Sequence, residues 1–430
     1  MRQLVERTRS LVSKQVLHQT GWSLVGEVGR LLTQIVVFVI LTYLFDPSEY
    51  GVLIGTLGLL MFLQPYAGLG ATHLLLQRVA GDNWSLERAI GQGTTISVMG
   101  GTAVTLALVG LQPLILPQVD RLSLAILGGS ELIAMAVLEL VIFAALATER
   151  LRAMAMLRIG HGAARAFAGL ILLAFVDTLE LWMWAVAATV AASVVAMIGL
   201  LAMTTQIPRP ISPTREDVTE GVPLSLGFGI SMFSASTDTF LLVRLDQVFD
   251  AGIYGAANRV VGIARLPARA LLFGSTARLY AAGARSVREG RDMALRATIV
   301  ATGFTGIAAL VMLLAADLVV AMLPADYADS AEAMRWLSLL PVLGSASIFA
   351  GTMLTAARLH KYRVALISLS ASVNVGLNIL LIPDHGWQGA VAASFVSAMV
   401  HAVGVWTMLQ YFVRAEQRGT LPDRNQQKSR

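Results

Sequence analysis

The chain has 430 residues, 56% of them hydrophobic and only 14% charged, with no cysteine, six histidines and a formal net charge of +5. A soluble chain of this length carries about 25% charged residues, so this one lacks the side chains to cover a water-facing surface, and lipid must be its main solvent. The composition excludes a disulfide framework, a thiolate metal centre and a cysteine nucleophile, and no histidine pair has HExxH spacing.

Residues 1–20 (MRQLVERTRSLVSKQVLHQT) are basic, and Leu4, Val5, Leu11, Val12 and Val16 share a face, the pattern of a helix lying on a cytoplasmic membrane surface. No small-residue cleavage site follows the apolar run Leu31 to Phe45, so the first span is expected to be retained rather than cleaved as a signal peptide. Apolar runs near twenty residues then predict membrane helices at Gly21 to Phe45, Tyr50 to Leu76, Ala89 to Gln112, Leu122 to Thr148, Ile159 to Val176 and Leu181 to Met203. A second set follows at Val222 to Leu245, Gly252 to Thr276, Ala297 to Leu323, Trp336 to Ala357, Val364 to Ile382 and Gly389 to Val413.

Between the sets, Thr204 to Pro223 holds Pro208, Pro210, Pro213 and the charged run REDVTEG, which reads as a linker. The expected organisation is an N-lobe over 21–203, a linker over 204–221, a C-lobe over 222–413 and a basic tail over 414–430. Most Lys and Arg fall in segments that an even number of spans puts on one side, while turns such as DPSE, DQVFD and PADYADSAE are acidic. The asymmetry places both termini in the cytoplasm and accounts for the basic excess without nucleic acid. The halves also rhyme: Phe45-Asp46-x-x-x-Tyr50-Gly51 recurs as Phe249-Asp250-x-x-x-Tyr254-Gly255. The reading is an all-α integral membrane protein, twelve helices in two six-helix lobes related by a pseudo-two-fold along the membrane normal.

Charges at membrane depth are Glu27 and Arg30 in the first span, Glu131 and Glu139 in the fourth, Arg165 in the fifth, Asp238 in the seventh, and Arg259, Arg265 and Arg269 in the eighth. Each costs about 2.5–3.5 kcal/mol at the bilayer centre, so most are expected to face the bundle interior or a wet cavity. Asn258, Arg265 and Arg269, at i, i+7 and i+11, share a helical face, with Pro267 set to kink the helix between the arginines. Guanidinium groups grip phosphate oxygens in pairs, which makes Arg30, Arg165, Asn258, Arg259, Arg265 and Arg269 candidate contacts for an anionic cargo. Glu27, Glu131, Glu139 and Asp238 are candidates for coupling to a proton or sodium gradient. The bland readings are a Glu27–Arg30 pair, Glu131 and Glu139 on one face pairing with Arg165, and an Asp238–Arg259 pair. Asn374 and Asn378 read as interhelical hydrogen-bonding residues, and His161 and His401 as packing residues.

Three stretches carry a family resemblance: Phe45-Asp-Pro-Ser-Glu-Tyr-Gly51, Asp250-Ala-Gly-Ile-Tyr-Gly-Ala-Ala-Asn-Arg259, and Asn374-x-x-x-Asn378-Ile-Leu-Leu-Ile-Pro383-x-x-Gly386-x-x-Gly389-Ala390. With the span plan they resemble Wzx-type lipid-linked oligosaccharide flippases, in the polysaccharide-transporter branch of the multidrug/oligosaccharidyl-lipid/polysaccharide exporter (MOP) superfamily. The resemblance implies two lobes around a central cavity in the bacterial inner membrane. Their cargo is undecaprenyl-pyrophosphate-linked repeat units for O-antigen, capsule or exopolysaccharide, moved without bond chemistry or a cofactor. Implied partners are that lipid-linked glycan, membrane lipids, and the polysaccharide polymerase and chain-length machinery. The alternatives are a multidrug or cation antiporter of the same superfamily, and a membrane-embedded glycosyl ligase or polymerase, which would need a larger outer loop than any seen here.

Overall fold

The computed structural model describes residues 14–80, 84–176, 178–204 and 208–420. Most of the segment expected at 1–20 and the end of the basic tail lie outside the described residues. The first half of the chain forms α1 (Lys14–Leu44), α2 (Pro47–Ala67), α3 (Ala71–Ala80), α4 (Leu86–Ile115), α5 (Arg121–Gly128), α6 (Met135–Ala147), α7 (Leu151–Phe175) and α8 (Leu181–Met203). The second forms α9 (Arg215–Arg244), α10 (Val248–Val261), α11 (Leu266–Arg285), α12 (Val287–Val320), α13 (Ser330–Leu337), α14 (Leu340–Ala356) and α15 (His360–Gln417).

Every predicted span overlaps a helix, and nine helices among the described residues are long and apolar enough to cross a membrane. Large apolar side chains such as Phe175, Leu314 and Leu318 stay exposed, as lipid-facing groups do. The chain is a multi-pass membrane protein. One of the nine, α15, contains a single non-helical residue, Gly386 (φ 52, ψ −131). There the chain reverses: a Cβ on Gly389 would meet the Leu381 carbonyl, Ser370 donates to the Ser397 carbonyl at 2.8 Å, and Gly404 faces Leu366. These pairings are those of an antiparallel helical hairpin, so α15 supplies two of the predicted spans. The remaining predicted spans of the twelve correspond to α9 and to α10 with α11, the latter divided by a short turn into helices of 14 and 20 residues.

By contact the chain divides into two compact units, one of residues 1–46 and 56–232, the other of residues 47–55 and 233–430. The division thus falls inside α9, and the start of α2 groups with the second unit. In the first unit, Leu138, Leu140 and Val141 pack with Ile90, Met154 and Val195. A capping box starts α9: Thr214 N–H donates to Asp217 Oδ2 at 2.5 Å, and the Asp217 N–H donates to Thr214 Oγ1 at 3.3 Å. This cap makes the end of the predicted linker helical. Asp217 also pairs with buried Arg78 at 2.5 Å and accepts from Gln92 at 2.7 Å. Burial alone would raise the Asp217 carboxyl, but the hydrogen bonds from Thr214 and Arg78 win and hold it below the usual range.

In the second unit the two copies of the repeated motif pack on one another. A Cβ on Gly51 would sit 1.9 Å from the Val248 carbonyl, and one on Gly252 would sit 1.8 Å from the Pro47 carbonyl. Only glycine lets the backbones approach so closely. Asp250 of the motif accepts from the Trp387 N–H at 3.2 Å, pinning the α15 turn. This aspartate therefore holds the hairpin.

Candidate functional site

The candidate site is built within the second unit, where the residues singled out in the seventh, eighth and eleventh spans converge. Asp238 of α9 accepts four hydrogen bonds. Asn374 and Asn378 donate to Oδ1 at 3.1 and 2.8 Å, while Tyr254 and Ser394 donate to Oδ2 at 2.6 and 2.5 Å. Both asparagines are buried, and Asn378 also donates to Asn374 at 3.0 Å. Asn374 and Asn378 one turn apart on α15 present their amides to one point, and Ser394 reaches it from the other arm of the hairpin. The reading of the two asparagines as interhelical hydrogen-bonding residues holds. The pairing of Asp238 with Arg259 does not: Arg259 hydrogen-bonds the Tyr50 hydroxyl instead, because it points away from the Asn258 face of α10. Each of the four hydrogen bonds that the carboxylate accepts comes from a neutral donor.

Beside this cluster the eighth span breaks. Between α10 and α11 the helix narrows to a 3₁₀ turn over Gly262–Arg265, and Pro267 stands in the first turn of α11. Proline lacks the amide that a continuous helix would need, so the break is written in the sequence. Arg265 sits at the junction and donates to Asn258 Oδ1 at 3.3 Å, as their shared face predicts. On its other side it lines a cavity of 240 Å³ together with Arg269, Arg363, His401, Ser345 and Ser347. Arg363 donates to Thr355 at 2.8 Å. None of these three arginines forms an ion pair among the described residues, and no carboxylate lines the cavity. Three guanidinium groups lining one cavity repel one another, and an anion entering the cavity relieves that repulsion. Sequence reasoning missed Arg363, which reads as a loop cation at the start of its span, and His401, which reads as packing. The signal that could have found them is the small-residue run Gly344 to Ser347 on α14, which leaves room opposite both.

The remaining candidates lie in the first unit. Glu27 pairs with Arg30, as the spacing predicts, and Arg158 of α7 joins them at 3.6 Å. Arg165 lies 3.9 Å from Glu131, with its guanidinium 5.3 Å from the Trp184 ring centre. Glu139 does not join that pair. A wide π-type turn over Gly129–Ala134 separates α5 from α6, with Glu131 inside it and Glu139 in α6. Glu139 instead lines a separate cavity of 320 Å³ with Gln64, His73, Ser97 and Ser225. Arg30 and Arg165 are thus each held by a carboxylate, unlike the arginines of the basic cavity.

Residues 16–267 match the family model described as polysaccharide biosynthesis protein. No curated protein sequence matches the chain. Among solved structures, the chain resembles an inward-facing multidrug resistance MATE family transporter of the MOP superfamily, with a TM-score of 0.74 and 13% identity over 90% of this chain and 98% of that one. It resembles an outward-facing structure of such a transporter with a TM-score of 0.62 and 15% identity, covering 93% and 96%. A MOP superfamily transporter from Pyrococcus furiosus, described as having a binding pocket of reverse polarity that suggests a different function, gives a TM-score of 0.58 at 12% identity, covering 94% and 96%. With the family model matched over more than half its length, on a fold shared with MOP-superfamily transporters, the chain belongs to the polysaccharide biosynthesis protein family.

Proposed function

We propose that the protein is a flippase that moves polyprenyl-pyrophosphate-linked oligosaccharide units across the bacterial cytoplasmic membrane by alternating access. The observation that carries the reading is the cavity lined by Arg265, Arg269 and Arg363, three guanidinium groups that form no ion pair among the described residues. Such a site suits a doubly charged pyrophosphate, which can take several forked hydrogen bonds at once. Membership of the polysaccharide biosynthesis family supports a glycan as the rest of the cargo. Asp238, one helix-break away through Asn258 and Arg265, is the residue through which a proton or sodium gradient would act. A cation taken up there lowers the negative charge felt by Arg265 and strengthens its hold on an anion, which links the two sites by electrostatics.

The test is export of surface polysaccharide in a strain whose only copy carries Arg265→Ala. The expected result is loss of export with the protein still inserted at normal abundance; unchanged export overturns the site. Drug-resistance profiling of the deletion strain tests the antiporter alternative, which gains if drug sensitivity changes while polysaccharide does not.

A further inference from the structure

A second cavity abuts the basic one. It is an open groove of 870 Å³ along the α15 hairpin, lined on the first arm by Tyr362, Leu366 and Leu369 and on the second by residues from Val396 to Tyr411. The first three are spaced i, i+4 and i+7. Val396, Val400, Val403, Thr407 and Tyr411 follow one face of the second arm for about 22 Å at ~1.5 Å per residue. That is most of the ~30 Å hydrocarbon thickness. Leu369, Val403 and Tyr411 are more than half exposed, so none of the described residues fills the groove. Its floor is set where a Cβ on Gly404 would come within 2.8 Å of Leu366.

The groove and the basic cavity share a wall. Arg363 and His401 line the cavity, while the residues just before them, Tyr362 and Val400, line the groove. An apolar channel nearly as long as the membrane core is thick, running beside a cluster of arginines that form no ion pair among the described residues, matches a ligand with a long hydrocarbon chain ending in phosphate. We infer that the groove between the two arms of α15 seats the polyprenyl chain of the cargo, with its pyrophosphate in the neighbouring basic cavity. The inference rests on the phosphate reading of that cavity. A lipid-facing groove gains no hydrophobic driving force over the bilayer itself, so it acts by shape, through close contacts with a branched chain. Its part is to orient the cargo and to select its tail.

The experiment measures binding to the full-length chain in lipid nanodiscs, with inorganic pyrophosphate and with geranyl, farnesyl and undecaprenyl diphosphates as probes. Wild type and Val403→Trp are compared. Val403 is exposed, so the indole fills the groove without disturbing a packed core. The expected result is affinity that rises with chain length in wild type, a gain that V403W removes by roughly tenfold, and unchanged binding of pyrophosphate. Chain-length dependence that survives V403W overturns the inference. So does displacement of the prenyl diphosphates by phosphatidylglycerol as readily as by undecaprenyl phosphate. If pyrophosphate alone fails to bind while the V403W-sensitive gain persists, the groove stands and the phosphate reading of the basic cavity fails.

Discussion

Replacing Asp238 by asparagine separates a coupling role from a structural one, because the geometry predicts that the fold survives the change. An asparagine oxygen in the place of Oδ1 still accepts from Asn374 and Asn378, and its NH₂ in the place of Oδ2 can donate to the hydroxyls of Tyr254 and Ser394, which turn to accept. Four hydrogen bonds to a charged acceptor, worth about 1.5–3 kcal/mol each, become neutral ones worth about 0.5–1.5. That loss is offset by no longer holding a charge out of water, a penalty of several kcal/mol. The net change in stability is therefore expected to be within about 2 kcal/mol of zero. Asp238→Leu removes the same charge but strands four donors at about 1–3 kcal/mol each, so it is expected to be at least about 4 kcal/mol less stable than D238N. Thermal unfolding of both variants in nanodiscs, read beside glycan export in a deletion strain, gives the contrast. D238N should be folded but inactive in export, and D238L unstable. Wild-type export by D238N refutes coupling through this carboxylate, and a D238L protein as stable as wild type refutes the network.

Other consequences follow from particular contacts. Gly386→Ala puts a Cβ 1.6 Å from Asp250 Oδ2 at a positive φ and displaces the Asp250–Trp387 bond, so unfolding in nanodiscs should show a loss of about 3 kcal/mol. Asp217→Ala leaves buried Arg78 with only the more exposed Glu220 at 3.4 Å as a carboxylate partner, at a cost of up to about 3–5 kcal/mol. Because the Asp217 carboxyl titrates lower in the folded chain than its unfolded value of about 3.9, its stabilisation is complete above that value and is lost as pH falls through the folded one. An acid titration of unfolding should show this loss in wild type and its absence in D217N. Arg269→Gln removes one of three mutually repelling charges. Pyrophosphate binding should fall about tenfold or more while stability is unchanged or higher, since the cluster is held together for its ligand rather than for the fold.

Hydrophobic runs made the helices legible, because a membrane-crossing helix must be long and apolar whatever its neighbours. The break at Pro267 and the turn at Gly386 were legible for the same local reason, one lacking an amide and the other occupying a conformation that suits only glycine. Convergence was not. Asp238 meets Asn374, Asn378 and Ser394 across 136 to 156 residues, and no local pattern encodes which carboxylate finds which amide. The different surroundings of Glu131 and Glu139 were hidden for a related reason: i, i+8 spacing on a helix does not say which neighbour packs against each carboxylate. Arg363 was hidden by its place at the start of a span, where a cation is ordinarily a membrane-surface anchor. The repeated motif shows the reverse case, in which a sequence signal had a structural use, since Gly51 and Gly252 mark a close helix crossing and Asp250 fastens a turn.

Reconstituting the full-length chain in liposomes, and following the movement of a polyprenyl-pyrophosphate oligosaccharide from one leaflet to the other, tests the basic cavity as the seat of an anionic cargo. Saturable translocation that is lost in Arg363→Gln and Arg265→Ala is the predicted result. Liposomes that leave the lipid-linked sugar in place but exchange an organic cation for protons or sodium would contradict it.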